Sequence, residues 1–323
     1  MYPELFRLPF IGYSVHSYGL MLVLGLLGGI ELAKFLARRS NLNPELFANA
    51  AILALVSGLV GARIAYVIQF HNEFTGGTFW ENLWNAANLT SGGLVYYGGF
   101  LLAFPTLVLY AIWKKIPLLR GMDIIAPCLM IGLALGRVGC FLNGCCWGQH
   151  TTLSWPVAVT FPYQSSPYID DLQEGKVSPP DALYKQDFVK NSRRLMTKEE
   201  IQAQHDLATL AESQRSLPVI NTQLMSTVTA LMIAAVATAF FTLGKIPGRG
   251  FAVMMMLEGL TRFLIEGLRV EPDVIVLGKV HLTLSMLIGL GVAAGGVVLW
   301  IAAGLAARTK DRTPVETGVP VVA

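Results

Sequence analysis

Seven stretches, at about residues 17–37, 46–70, 92–113, 122–142, 219–243, 250–269 and 281–306, are each apolar enough and long enough to cross a bilayer's roughly 30 Å hydrocarbon core as a helix. No other feature constrains the fold as strongly. A backbone in hydrocarbon must satisfy its own N–H and C=O groups, and a helix does so within one segment. Composition agrees: of 323 residues, 54% are hydrophobic and only 14% charged, against about 25% charged in soluble domains. That leaves too little polar surface for a soluble enzyme and excludes a disordered chain. The expected fold class is an all-α polytopic membrane protein with seven transmembrane helices.

Charge placement predicts the orientation. With the N-terminus outside, the inner loops carry Lys34, Arg38 and Arg39, then Lys114, Lys115 and Arg120, then Lys245 and Arg249, and the C-terminal end carries Arg308, Lys310 and Arg312. The short outer segments are nearly devoid of cations: residues 71–91 hold no Lys or Arg, and 270–280 hold only Lys279. This is the positive-inside pattern, with a cytoplasmic C-terminus. Because Lys34, Arg38 and Arg39 follow the first apolar run, that run reads as a retained helix rather than a cleavable signal. The expected organisation is helices 1–4 over 1–142, an extracytoplasmic module over 143–218, helices 5–7 over 219–306 and a cytoplasmic tail over 307–323. Within the module, Thr197-Lys198-Glu199-Glu200 has capping-box spacing and good helix formers follow to Gln214, predicting one surface helix. The net charge of +3 points to no nucleic-acid partner.

A few charges remain inside the spans. Arg63 lies in the outward half of the second and Arg137 near the outer end of the fourth, while Glu258, Arg262, Glu266 and Arg269 follow at steps of four, four and three in the sixth. An Arg at the bilayer centre costs at least about 3 kcal/mol, so these side chains are expected to converge on one polar cavity. Local pairing, Arg262 with Glu266 above all, is the plainer alternative. Arginines outnumber carboxylates there, and a guanidinium fork suits phosphate. At this depth the available phosphates belong to lipid headgroups, so the site reads as one for an anionic phospholipid. Tyr97, opening the third span before Gly98 and Gly99, is either an interfacial belt residue or a catalytic phenol.

Gly136-Arg137-Val138-Gly139-Cys140-Phe141-Leu142-Asn143-Gly144-Cys145-Cys146-Trp147-Gly148 resembles the signature of the bacterial prolipoprotein diacylglyceryl transferases, G-R-x-G-N-F-x-N-G-E-x-x-G. Gly61-Ala62-Arg63, Tyr97-Gly98-Gly99, Thr222-Gln223-Leu224 and Arg262-Phe263-x-x-Glu266-x-x-Arg269 follow the family's order. The resemblance implies a multi-pass enzyme of the bacterial inner membrane. Such an enzyme moves the diacylglyceryl group of phosphatidylglycerol onto the lipobox cysteine thiol of a preprolipoprotein signal peptide, forming a thioether and releasing glycerol 1-phosphate. It further implies that Arg137 and Arg262 clamp the phosphate, that Glu266 orients Arg262, that Asn143 holds the turn or a glycerol hydroxyl, and that Arg63, Gln223, Arg269, Gly98 and Gly99 support the lipid. No cofactor and no metal are implied.

Three departures from the family pattern stand out. Tyr97 occupies a usual histidine position, and a phenol of pKa about 10 is a poor base at neutral pH, which favours substrate orientation for Tyr97. Cys140 and Cys145 replace the signature's Asn and Glu. With Cys146 they read as a packed or disulfide-bonded turn; zinc usually takes four ligands, and only His150 lies close in sequence. Residues 165–215 resemble an insertion. Two other function classes stay open: a divergent lipid transferase with another acceptor, and a phospholipid-binding or transport protein without chemistry.

Overall fold

The computed structural model describes residues 4–7, 14–74, 76–88, 93–187, 192–197, 200–201, 204–269, 273–277 and 280–312. The fold is mostly helical. Long helices form over all seven apolar stretches: α1 (Ser17–Arg39), α2 (Pro44–Gln69), α4 (Tyr96–Trp113), α5 (Leu118–Asn143), α8 (Thr222–Leu243), α9 (Arg249–Glu266) and α10 (Leu284–Arg312). Five of them, α1, α2, α5, α8 and α10, are long and apolar enough to cross a membrane. The apolar run of α4, Tyr97–Trp113, is shorter, and α9 carries Arg249, Glu258, Arg262 and Glu266.

Local signals set the ends. Pro44 occupies the first turn of α2 and Asn43 caps it, accepting from Glu45 N at 3.0 Å. Gly144 ends α5 in the left-handed region at φ 75°, where a side chain would strain the turn. A short helix, α3 (Phe79–Ala87), follows a complete Thr78–Glu81 capping box in a segment expected to be a loop.

The helices pack in a row, α4–α2–α1–α5–α8–α9–α10, with α5 also touching α9. Ala33, Leu36, Phe47, Ile124 and Phe241 join α1, α2, α5 and α8, while Ala126, Met130, Ile233, Ala237 and Met254 join α5, α8 and α9. Glycines set the closest crossings: a Cβ on Gly98 would strike Ala65 and the Gly61 carbonyl, and one on Gly259 would strike the Gly289 carbonyl. Asp123, buried in α5, accepts from Gly248 N at 2.7 Å and Phe251 N at 2.9 Å, tying α5 to the N-terminus of α9. A carboxylate is favourable there, facing unsatisfied N–H groups at the positive end of the helix dipole.

Between α5 and α8 the chain builds a module with its own core of Tyr163, Tyr168, Leu183, Met196, Ile201 and Ala211. It contains α6 (Ser166–Gln173), the hairpin β4–β5 (Tyr184–Asp187, Ser192–Leu195) and α7 (His205–Ser213). Its base is closed by β3 (Ala158–Val159) pairing antiparallel with β6 (Val219–Ile220). Burial pushes the Tyr163 and Tyr168 phenols up to about 12, so this core stays neutral. The Thr197–Glu200 box forms, with Thr197 N donating to Glu200 at 2.9 Å; Glu200 and Ile201 are helical, and α7 follows from His205. Glu200 also receives both Arg194 guanidinium nitrogens at 2.8 Å and Lys185 at 2.9 Å. Lys198, Glu199, Lys279 and the tail from 313 lie outside the described residues. Hairpins β1–β2 (Glu4–Arg7, Ser14–His16) and β7–β8 (Asp273–Leu277, Val280–Thr283) precede α1 and α10.

Candidate active site

The C-terminal end of α5, the first turns of α8 and the second half of α9 enclose a narrow cleft with room for about 20 Å³. Arg137, Arg262 and Arg269 line it together with Glu258 and Glu266, and hydroxyls of Thr222, Ser226, Thr229 and Thr261 complete the wall. Three guanidinium groups against two carboxylates leave the cleft cationic. Arg262 Nε is buried with no hydrogen-bond partner. An unsatisfied buried donor is costly, and an anionic ligand in the cleft relieves that cost.

Glu266 pairs differently from the expectation. Its carboxylate, 4% exposed, lies 3.3 Å from Arg269 Nη1 rather than joining Arg262 one turn back. The reason is where α9 stops. The helix ends at Glu266, and Arg269 N donates to the Glu266 carbonyl at 3.0 Å, so the chain turns back on itself. Arg269 therefore sits in a turn beyond the helix, not on the helical face its spacing suggested.

The signature loop is braced from α8. Beyond Gly144, Thr222 Oγ1 donates to the Cys146 carbonyl and Gln223 Nε2 to the Cys145 carbonyl, both at 2.7 Å. Gly148 N donates to Ile220 O at 2.9 Å and Gln149 N to Leu268 O at 2.8 Å, joining the loop to the strand before α8 and the turn after α9. Gln223 is fully buried and positions backbone; it does not line the cleft. Asn143 is exposed at the end of α5, its amide beside the Cys145 thiol.

The single cavity expected for all the intramembrane arginines is divided in the structure. Arg63 lies outside the cleft, 6% exposed, donating to the carbonyls of Ala86 at 2.8 Å, Asn85 at 2.6 Å and Gly93 at 3.0 Å. Its guanidinium also stacks on Tyr66 at 5.4 Å, so it fastens the α3 segment onto α2. Gly98 and Gly99 occupy the α2–α4 crossing, and Tyr97 stands half exposed on the first turn of α4.

A second cleft of about 310 Å³ opens between the signature loop and the module, lined by Cys146, His150, Asp170, Asp171, Glu174 and Lys176 among others. Arg269 borders both clefts. Asp171 is fully buried; it accepts from Leu217 N at 2.7 Å and places Oδ1 3.2 Å from His150 Nε2. All four cysteines are free thiols, and the sulfurs of Cys140, Cys145 and Cys146 lie within 4.8 Å of one another. The His150–Asp171 pair joins residues 21 apart across a non-local contact and left no sequence signal. Thr222, Ser226 and Thr229 did leave one: their i, i+4, i+7 spacing puts the three hydroxyls on one face of α8.

Apolar helices arranged around an arginine-rich cleft mark a multi-pass membrane protein. The chain belongs to the prolipoprotein diacylglyceryl transferase family, whose model matches residues 3–302. Among its relatives is a phosphatidylglycerol–prolipoprotein diacylglyceryl transferase of Rhodopirellula baltica, 36% identical over 167 residues, which are 52% of this chain and 34% of that protein. One of the same name from Clostridium tetani is 30% identical over 50% of this chain and 61% of its own length. A third, from Deinococcus radiodurans, is 25% identical over 89% of this chain and 76% of its own length. The chain thus spans about a third to three fifths of the length of the first two.

Proposed function

We propose that the protein transfers the diacylglyceryl group of phosphatidylglycerol to the lipobox cysteine of preprolipoproteins, working at the outer face of a bacterial inner membrane. The observation that carries this reading is the Arg137–Arg262–Arg269 cleft with its buried, unsatisfied Arg262 Nε, in a chain of this family. In this reading all seven long helices span the membrane, with the N-terminus outside and the module over 143–218 extracytoplasmic. Residues 1–142 and 219–306 form the membrane body and 307–323 the cytoplasmic tail.

Arg137 and Arg262 hold the phospholipid phosphate, and Glu266 orients Arg269 beside them. Charge neutralisation by these arginines favours departure of the phosphate: a C–S bond forms to the acceptor sulfur as the C–O bond to phosphate breaks, and glycerol 1-phosphate leaves. Arg269, bordering both clefts, marks where lipid from the first meets peptide from the second. Asn143 and Gln223 support the lipid through the signature loop. Arg63, Gly98 and Gly99 do so through the α2–α4 wall, and Tyr97 orients substrate at its rim.

The test is restoration of lipoprotein maturation in cells depleted of their own transferase, paired with transfer from labelled phosphatidylglycerol to a lipobox peptide by the purified protein. Both are expected. Lipid binding without transfer in either assay overturns the reading.

A further inference from the structure

Three sulfurs converge where the family signature has two non-sulfur side chains. Cys140 lies in the last turn of α5, the left-handed Gly144 reverses the chain, and Cys145 and Cys146 return to it, with all three Sγ atoms within 4.8 Å of one another. Cys146 holds φ 62°, a left-handed conformation uncommon for a residue with a side chain. The loop keeps that conformation because Thr222 and Gln223 hold the Cys146 and Cys145 carbonyls from α8. Rigid backbone therefore gathers the thiols before any ligand arrives.

The spacing suits a thiophilic ion. A cation holding three thiolates at about 2.3 Å sets their sulfurs about 4 Å apart, inside the observed limit. Zinc with three thiolates carries one net negative charge, and Arg137 and Arg269 both act electrostatically on Cys146 to balance it. Three protein ligands leave the tetrahedral fourth position open, as at catalytic zinc sites. Cys146 also lines the second cleft beside Arg269, which gives that position a way in from the module side.

We propose that Cys140, Cys145 and Cys146 form a three-thiolate zinc site whose fourth position receives the acceptor cysteine of the peptide substrate. The substrate half of this proposal rests on the transferase reading above. The acceptor S–H gives its proton to solvent water and its sulfur becomes the fourth zinc ligand. The bound thiolate then forms the C–S bond while the lipid C–O bond breaks and the phosphate takes the electron pair.

The test uses the full-length protein in detergent, reduced and then exposed to Zn2+ or Co2+. Elemental analysis is expected to give one zinc per chain, falling at least tenfold in the C140S/C145S/C146S variant. In wild-type protein, whose folding is not in question, Co2+ is expected to give sulfur-to-cobalt charge-transfer absorption. That absorption should rise by about a third, from three sulfurs to four, on adding a single-cysteine lipobox peptide and not its serine counterpart. Equal zinc in both proteins, a disulfide within the trio with no metal uptake after reduction, or a cobalt spectrum indifferent to the peptide overturns the proposal. Transfer at full rate by the triple variant overturns the zinc role alone. A zinc-loaded protein that shifts the cobalt spectrum yet transfers nothing overturns the transferase reading alone.

Discussion

Glu266 and Arg269 form an ion pair across the end of α9, with Oε2 3.3 Å from Nη1 and the carboxylate almost wholly buried. The pair fixes the one guanidinium that borders both clefts. It also leaves Arg262, one turn earlier, without the carboxylate partner its spacing offered, so its buried Nε is available to a ligand.

Arg137→Ala and Arg262→Ala are each expected to lower diacylglyceryl transfer about 100- to 1,000-fold, the range for removing one donor to a developing anion. Initial rates with labelled phosphatidylglycerol, normalised to correctly inserted protein, check this. Full activity in both variants would refute the phosphate clamp.

Arg63→Gln is expected to act on stability first. Loss of charge-assisted bonds to the Ala86, Asn85 and Gly93 carbonyls costs about 1.5–3 kcal/mol for each bond made by the charged group. Thermal unfolding in detergent should show the loss while the rate per folded molecule falls less than for Arg137→Ala. Unchanged melting with abolished transfer would instead make Arg63 a direct substrate contact.

Gly98→Ala introduces a Cβ into Ala65 and the Gly61 carbonyl on the facing helix. Overpacking of this kind costs about 1–3 kcal/mol. Folding yield and melting temperature should fall, and an Ala65→Gly second change should recover part of the loss. A Gly98→Ala protein of normal stability but weakened lipid binding would contradict a packing role.

Acid is expected to loosen the module through Glu200, whose carboxyl is held well below the usual carboxylate range, first by the Arg194 hydrogen bonds and then by Thr197 N and Lys185. A depressed folded value means the contribution is fully present above the unfolded value of about 4.3 and is lost as pH falls from there through the folded value. Hydrogen exchange of the backbone near Tyr163 and Tyr168 should accelerate over that interval. A Glu200→Gln protein should show a flatter dependence, and identical profiles would remove Glu200 as the cause.

Periodic and compositional signals carried the helices well: each of the seven apolar runs became a long helix, because a sustained apolar run favours the conformation that satisfies its own backbone groups at every residue. Contacts that join distant segments carried less. Arg63 and Arg137 look alike as isolated intramembrane charges, yet one is consumed by the carbonyls of α3 and Gly93 while the other lines a cleft. Only the placement of the Asn85, Ala86 and Gly93 carbonyls decides between them. The Glu266 partner was misjudged because α9 stops at Glu266 itself and the turn beyond it returns Arg269 to the carboxylate, a competitor that helical spacing does not place there. Asp171 and His150 meet only after the module has folded. The α3 helix was missed although Thr78 and Glu81 have capping-box spacing, a signal the sequence carried.

Asp123 grips the N-terminus of α9 while Arg262 stands thirteen residues beyond Arg249 along that helix, about 20 Å away at 1.5 Å per residue. The helix is thus a lever pinned at its polar foot. A tilt of about 5° around that pin displaces the Arg262 backbone by about 1.7 Å, more than the misplacement of about 1 Å that costs an enzyme two orders of magnitude. The accuracy of the cleft is therefore set in part by a carboxylate that no substrate touches.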